Sequence, residues 1–356
     1  MTASLQPLLD QLHRTRGPAL WLADESNAAA LASLANYGPD LTLISNRFDI
    51  AEAARQLGIN AHFSDFDAAF LEHLPPAQRP RQAFYRVSKE RPVVNHIINR
   101  VFGLLPSGGN LWLSGQKTQG IKTYFSQAGR LFECGNRLIK QGDNYWGHLE
   151  KIAPSGESLN DKHYTEMRWI KPADGDEFLS KPGTYGWDKI DKGSAFLAAQ
   201  IPNIVAERDT RALHFLDLGC GYGYLTLQCR DIKFASMTAT DNNAAAINCA
   251  RANFEHFGVP AKVVADDCGA SLTGGFDLIL CNPPFHQGFT MDGALTDKFL
   301  TSALRLLAPK GRAYFVVNVF IPLETKAGAI QAKHGRGSVA TIANNGHFKI
   351  IELQKH

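Results

Sequence analysis

The sequence predicts two tandem α/β domains, each a mainly parallel sheet with helices on both faces. Three observations predict this. The chain has 356 residues, more than one ordinary domain of about 100–150 residues needs. Apolar runs of strand length alternate with helically spaced apolar residues, once in each half. In the second half an apolar strand runs into a glycine-spaced turn and then a helix, His214-Phe215-Leu216-Asp217-Leu218-Gly219-Cys220-Gly221-Tyr222-Gly223-Tyr224-Leu225.

In the first half the strand-like runs are Ala19–Ala23, Leu41–Ser45, Ala61–Ser64, Gln82–Val87 and Asn110–Ser114. Between them Asn27–Asn36, Ile50–Leu57 and Pro92–Leu105 carry helical apolar spacing. Residues 141–180 break the rhythm with Gly142, Pro154, Gly156, Pro172 and Gly175, and a linker is expected there. Tyr164–Ile170 and Glu177–Leu179 flank Pro172-Ala173-Asp174-Gly175, the signal of a hairpin opening the second domain. Strands then follow at Leu213–Leu218, Phe234–Thr240, Ala261–Ala265, Phe276–Cys281 and Arg312–Val317. Helices are expected from the glycine turn through Cys229, at Ala244–Phe257 and at Ala294–Leu307. The expected domain limits are 1–160 and 161–356. Leu104–Leu113 resembles Leu306–Phe315, both reading as helix end, Pro/Gly turn and strand, a weak sign of duplication.

Composition narrows the function classes. With 44% hydrophobic and 20% charged residues the chain is globular, not disordered. No apolar run approaches the roughly 18–20 residues that cross a bilayer, and the first residues lack the order of a secretory leader, so a cytoplasmic protein is expected. The net charge of +3 permits a nucleic-acid partner without requiring one. None of the six cysteines forms a C-x-x-C pair, so reduced thiols and no metal site are expected.

The glycine turn carries the densest chemistry. Glycines let backbone N–H groups approach a ligand that a Cβ would exclude. The next strand ends at Asp241, placed to accept both hydroxyls of a ribose. The strand after it ends Asp266-Asp267, placed to accept from an adenine amine, and Asp217 ends the first strand where a carboxylate can hold an ammonium. Ribose, adenine and an amino-acid ammonium together describe S-adenosylmethionine better than a dinucleotide, whose third fingerprint glycine is missing here. Ordinary strand-end turns and caps are the alternative.

A second motif follows strand Phe276–Cys281: Asn282-Pro283-Pro284-Phe285. Consecutive prolines remove donors and stiffen the turn. The Asn282 amide oxygen and the Pro283 carbonyl are then acceptors for a planar exocyclic amine, with Phe285 stacking on its ring. Positioning and electrostatics suffice for such a transfer, without a strong base. A rigid structural turn is the alternative.

Asp217–Gly223 with Asn282–Phe285 resembles the class I S-adenosylmethionine-dependent methyltransferases. The whole pattern is similar to the bacterial ribosomal RNA guanine-N2 methyltransferases of the RsmC type, in which a cofactor-less methyltransferase-like domain precedes the catalytic one. Lys181–Tyr185, Ile190–Ser194, Cys281–Gln287 and Gly346–Lys349 add to the likeness. The resemblance implies two Rossmann-like domains, the first degenerate and the second catalytic. It implies S-adenosylmethionine held by Asp217, Gly219, Cys220, Gly221, Gly223, Asp241, Asp267 and Asn282, and a target guanine held by Asn282, Pro283, Pro284 and Phe285. It implies a 16S ribosomal RNA substrate within a small subunit or assembly intermediate, and a monomer without metal. The large-subunit RNA, an adenine N6 or protein glutamine N5 target, and a non-catalytic assembly factor stay open. The family has a Ser-Arg-Asp-Gly stretch where this chain reads Gly186-Trp187-Asp188-Lys189, so this chain lacks the arginine of that loop; Asp191 matches, as a cofactor contact or a helix cap.

The first half lacks this equipment. Its strand Ala19–Ala23 leads into Asp24-Glu25-Ser26-Asn27 without a glycine, and Pro92-Val93-Val94 stands in the region where the Asn-Pro-Pro turn is expected. It carries Arg79, Arg81, Arg86, Lys89, Arg91 and Arg100 against Glu90, then Lys117, Lys122, Arg130, Arg137 and Lys140 against Glu133. Tyr85, Tyr124 and Phe125 are interleaved, a composition suited to RNA phosphates and bases, or to a solvated face on a domain that supports the catalytic one.

Overall fold

The computed structural model describes residues 3–135, 137–152, 156–171, 177–284, 286–287, 290–291, 293–334 and 337–356. The chain divides into two compact units, Met1–Glu166 and Met167–His356.

The first unit has strands β1 (Ala19–Ala23), β2 (Leu41–Ser45), β3 (Asn60–Phe63), β4 (Gln82–Arg86), β5 (Asn110–Gln116), β6 (Ile139–Gln141) and β7 (Asn144–Glu150). Their order in the sheet is β3-β2-β1-β4-β5-β7-β6. The first five run parallel, and β7 is antiparallel to both neighbours. Helices α1 (Gln6–Arg14), α2 (Leu31–Ala35), α3 (Phe48–Gln56), α4 (Arg91–Leu104) and α5 (Ile121–Phe132) cover the sheet. Side chains alternate along β1: Leu20 and Leu22 join a core with Tyr85, Val94 and Phe132, while Trp21 joins another with Leu5, Leu34 and Phe84.

The linker expected over 141–180 is corrected here. Gly142, at φ 61°, turns the β6–β7 hairpin, and β7 pairs with β5 along its whole length. The chain stays on the first unit beyond it. Tyr164 is fully buried and donates to Asp65 Oδ1 at 2.5 Å, while Asn95 and Asn99 bind the backbone of residues 159–160.

The second unit opens with an antiparallel hairpin, β8 (Arg168–Ile170) and β9 (Phe178–Ser180). The Pro-Ala-Asp-Gly turn expected between them lies outside the described residues. Helices α6 (Lys192–Ala198) and α7 (Ile201–Val205) follow. Then come β10 (His214–Leu218), α8 (Tyr224–Gln228), β11 (Ser236–Asp241), α9 (Ala244–Phe257), β12 (Ala261–Ala265) and β13 (Phe276–Cys281). A two-residue pair, β14 (His286–Gln287) and β15 (Thr290–Met291), precedes α10 (Gly293–Leu306). Strand β16 (Leu307–Asn318), α11 (Leu323–His334), β17 (Gly337–Asn344) and β18 (Phe348–Lys355) complete the unit. The sheet order is β12-β11-β10-β13-β16-β18-β17.

With strands counted within the seven-stranded sheet alone, each sheet reads third, second, first, fourth, fifth, seventh, sixth. Both carry an antiparallel seventh strand beside the fifth. The paired segments Leu104–Leu113 and Leu306–Phe315 thus make the same passage, from a helix into the fifth strand of each sheet. The two units are Rossmann-like and share one topology.

Candidate active site

Strand β10 lies centrally, parallel to β11 and β13. The carboxyl ends of these strands form the crevice where open parallel sheets bind ligands. The glycine turn fills the first of these ends. Gly219, Gly221 and Gly223 all have positive φ, at 82°, 56° and 90°. The N–H groups of Gly219 and Cys220 both donate to Thr240 O at 2.9 Å, tying the turn to β11.

The three glycines answer three needs. A Cβ on Gly221 would meet nothing within 4 Å, so its bare backbone faces open space and suits a ligand. A Cβ on Gly219 would touch Phe299 at 3.2 Å. A Cβ on Gly223 would lie 2.5 Å from Phe254 Cε1, so this glycine lets α8 close on α9. Gly223→Ala is accordingly expected to cost about 2–4 kcal/mol of unfolding free energy, from left-handed strain plus overpacking. Thermal unfolding checks it, with Phe254→Leu in the Gly223→Ala background restoring part of the loss; an unchanged Tm would remove the packing role.

The acidic strand ends differ in what they hold. Asp241 Oδ2 accepts from Gly221 N–H at 2.9 Å and its Oδ1 from Asn243 N–H at 2.8 Å. It thereby links the glycine turn to the cap of α9. Asp266 is buried and serves its own turn, accepting from Asp267 N–H, Ser271 N–H and Ser271 Oγ. Asp267 is the more exposed of the two, and Lys298 on α10 pairs with its carboxylate.

Asp217 is 1% exposed. Its Oδ2 accepts from Thr226 N–H at 3.1 Å and Thr226 Oγ1 at 2.8 Å, at the start of α8. Its Oδ1 is buried and has no hydrogen-bond partner among the described residues. Burial pushes the carboxyl pKa up to about 7, against the pull of the Thr226 bonds and with a small push from Asp241. Cys220, also buried, has its thiol pushed well above the ordinary range by the same desolvation and by the two aspartates.

Asn282 follows β13. Its Nδ2 donates to Asp191 Oδ1 at 2.7 Å and to Ser194 Oγ at 2.8 Å. Asp191 Oδ1 also accepts from Ser194 N–H at 2.9 Å and so caps α6. An ionised carboxylate only accepts, so the amide nitrogen must face Asp191 and the amide oxygen is turned away from it. That oxygen has no protein partner among the described residues. Pro283 is buried and Pro284 exposed; Phe285 lies outside the described residues. The sequence raised Asp191 as a cap or cofactor contact but gave no sign of its bond to Asn282. A partner 91 positions away has no local signature.

These residues suit S-adenosylmethionine. Gly221 offers a backbone open to a ligand, Asp241 a carboxylate on the same turn, and Asp217 a buried oxygen lacking a partner, which an ammonium would satisfy.

The first unit fills the equivalent places with side chains. Its strand register puts Asp24 at the position of Gly219, Asn46 at Asp241 and Val87 at Asn282. Pro92, expected near the Asn-Pro-Pro position, instead enters the first turn of α4, because β4 ends at Arg86. Asp24 accepts from Ser26 and Asn27, Trp21 Nε1 donates to Asn27 Oδ1 at 2.9 Å, and buried Arg86 donates to Ser4 and Ser26. Tyr85, Tyr124 and Phe125, expected among the surface bases, are 5% exposed or less and belong to the core.

Residues 176–352 match the family model of the methyltransferase small domain. The chain is 29% identical over 267 residues to the ribosomal RNA small subunit methyltransferase C of Hahella chejuensis, covering 74% of each. It is 25% identical over 305 residues to the protein of that name from Serratia proteamaculans, covering 84% of this chain and 80% of that one. Among solved structures, the T. thermophilus 16S rRNA N2 methyltransferase in complex with AdoMet and guanosine matches 98% of this chain and 92% of its own. That match has a TM-score of 0.79 at 20% identity, a likeness of fold.

Among the described residues no helix is long and apolar enough to cross a membrane, and no group of three or more His, Cys, Asp or Glu could hold a metal ion.

Proposed function

The chain belongs to the class I S-adenosylmethionine-dependent methyltransferases, and from that premise we propose that it methylates the exocyclic N2 amine of a guanine in 16S ribosomal RNA. The observation that carries this reading is the clamped Asn282 carboxamide, with its nitrogen held by Asp191 and Ser194 and its oxygen left to accept.

S-adenosylmethionine, when bound, supplies an electrophilic methyl group. Asp217, Gly219, Cys220, Gly221, Gly223, Asp241 and Asp267 are the residues proposed to hold it, with Asp267 exchanging Lys298 for the adenine amine. Gly223 acts by letting α8 close against α9. Asn282 Oδ1 and the Pro283 carbonyl accept the two N–H bonds of the guanine amine, which fixes the ring and turns the nitrogen toward the cofactor side. Phe285, outside the described residues, is the side chain proposed to stack on the ring. The rate gain comes from this alignment and from dipoles fixed in advance, not from a strong base.

Two exposed aromatic side chains support a nucleic-acid substrate. Tyr185, 79% exposed, lies six residues before Asp191, and Phe320, 89% exposed, follows β16, the neighbour of β13 in the sheet. Bare aromatic faces of this kind suit stacking on unpaired bases. A guanine inside a duplex must first be unstacked, so an accessible base in a small subunit or an assembly intermediate is the proposed substrate. The first unit, with its cofactor positions filled, is proposed to support the catalytic unit and bind RNA.

The test is methyl transfer from labelled S-adenosylmethionine to small subunits and 16S RNA lacking the modification, with nucleoside analysis. Label in N2-methylguanosine is expected. Label in adenosine, in large-subunit RNA or in protein would overturn the substrate, and absence of cofactor binding would favour an assembly factor.

A further inference from the structure

Four of the six cations in the first basic run of the first unit are taken up by the fold. In the first run Arg79 donates to Leu74 O, Arg81 to Ser107 O and Arg86 to Ser4 and Ser26, while Arg100 pairs with Glu72. The fold has used these cations. In the second run the exposed side chains of Lys122, Arg130 and Arg137 have no hydrogen bond or ion pair to any described residue. All three line one open cavity of about 720 Å³ between α5, residues 133–135 and 137–138, and β7. Tyr145 of β7 lines it too, with Lys122 Nζ 4.7 Å from the centre of its ring. Glu133 is its only acid among the described residues, and no described cation pairs with it.

Three uncompensated cations around a concave wall that contains an aromatic ring are the elements of a single-stranded nucleic-acid site. The cations neutralise phosphates, and the half-buried Tyr145 ring offers a base the part that Lys122 and the core leave exposed. A duplex presents a convex surface and hides its base faces, so the concavity favours an unpaired strand. An acidic protein partner would need carboxylates at matching positions but would leave the aromatic face without a role. We infer that this groove binds a single-stranded segment of the RNA substrate, through Lys122, Arg130, Arg137 and Tyr145. The inference rests on the RNA reading above and adds where on the first unit the strand lies.

The experiment measures binding of a fluorescent single-stranded RNA of mixed sequence to the full-length protein, across a series of salt concentrations. The variant is Lys122→Gln/Arg130→Gln/Arg137→Gln, with Arg14→Gln/Arg16→Gln/Lys262→Gln as the charge-matched control. Each phosphate contact on a single strand contributes about 0.7 to the salt slope, so the groove variant is expected to lose about 2 from it and at least tenfold in affinity at low salt. Tyr145→Leu is expected to lose about tenfold with the slope unchanged. In the transfer assay the groove variant raises KM for RNA and keeps kcat and cofactor affinity. Equal affinity and slope in groove variant and control would overturn the inference while wild-type methylation of guanine kept the functional reading. Loss of self-association in the groove variant with RNA binding intact would assign the face to a second copy and overturn the inference likewise. Wild-type protein that binds RNA through the groove but methylates no guanine would sink the functional reading alone.

Discussion

Asn282→Ala is expected to lower kcat about 10²–10³-fold and to leave affinity for S-adenosylmethionine within about threefold. The fold-change is the range for removing one polar contact fixed in advance at a reacting centre. The split between kcat and cofactor affinity follows from the direction of the amide. Its nitrogen is taken by Asp191 Oδ1 at 2.7 Å and Ser194 Oγ at 2.8 Å, so the group presented to a substrate is the oxygen. Asp191→Asn tests that direction. An asparagine at 191 can donate as well as accept, so the Asn282 amide can invert and present its N–H groups, which repel those of a target amine. A kcat loss of about tenfold is expected, without change in cofactor affinity. Asp191 also caps α6, so its variant needs a thermal control; a cap loss alone costs about 1 kcal/mol and moves Tm without moving kcat at a temperature where the protein is folded. Equilibrium cofactor binding beside single-turnover rates separates the possibilities. If Asn282→Ala weakens cofactor binding as much as it lowers the rate, the residue belongs to the cofactor's side of the site and the amine-holding role is lost.

What the sequence made legible follows from burial. Strands β1, β2 and β13 were legible to the residue because they are short, largely buried apolar runs bounded by turns. The glycine turn was legible because only glycine serves at its positive φ angles. The outer strands were not. All three residues of β6 are exposed, and most of β17 lies at the surface, so neither carries an apolar signature. Strand β7 hid behind Gly142, which the sequence offered as linker punctuation and the fold uses as a hairpin turn. In the site, the acidic strand ends were legible as positions but not as roles. Asp266 spends its carboxylate on its own turn, and Asp267 meets Lys298 from a helix 31 positions further on. The interleaved aromatics of the basic runs misled for a related reason: at helix and strand positions facing the core, Tyr85, Tyr124 and Phe125 are packing residues whatever charges flank them.

Asp217→Asn is expected to stabilise the protein at pH 8 and to abolish tight cofactor binding. The carboxyl is buried, with a pKa pushed up to about 7, so the folded state holds its proton more firmly than the unfolded chain does near 3.8. A raised acid contributes full stability below its unfolded pKa and loses it as pH climbs to the folded value. The loss therefore runs from about pH 4 to 7, and at roughly 1.4 kcal/mol per pKa unit it comes to somewhat more than 4 kcal/mol. Asparagine does not titrate, and its oxygen can take the Thr226 bonds, but its amide then sits where Oδ1 lacks a partner, at a cost of about 1–3 kcal/mol. The variant is expected to exceed wild type by about 1–3 kcal/mol at pH 8 and to fall below it at pH 4, read by denaturant unfolding at both pH values. The carboxylate disfavoured in the empty protein is the form that pairs with an ammonium, so wild-type cofactor affinity should rise with pH to about 7 and then level. Binding below that pH should release a proton, measurable by calorimetry in buffers of different ionisation enthalpy. Asp217→Asn should lose at least about 10²-fold in affinity together with that pH dependence, because an ammonium drawn into a buried site without its counter-charge forfeits several kcal/mol. If the variant keeps both the affinity and the pH profile, the ammonium lies elsewhere, and Asp217 serves only to hold the start of α8.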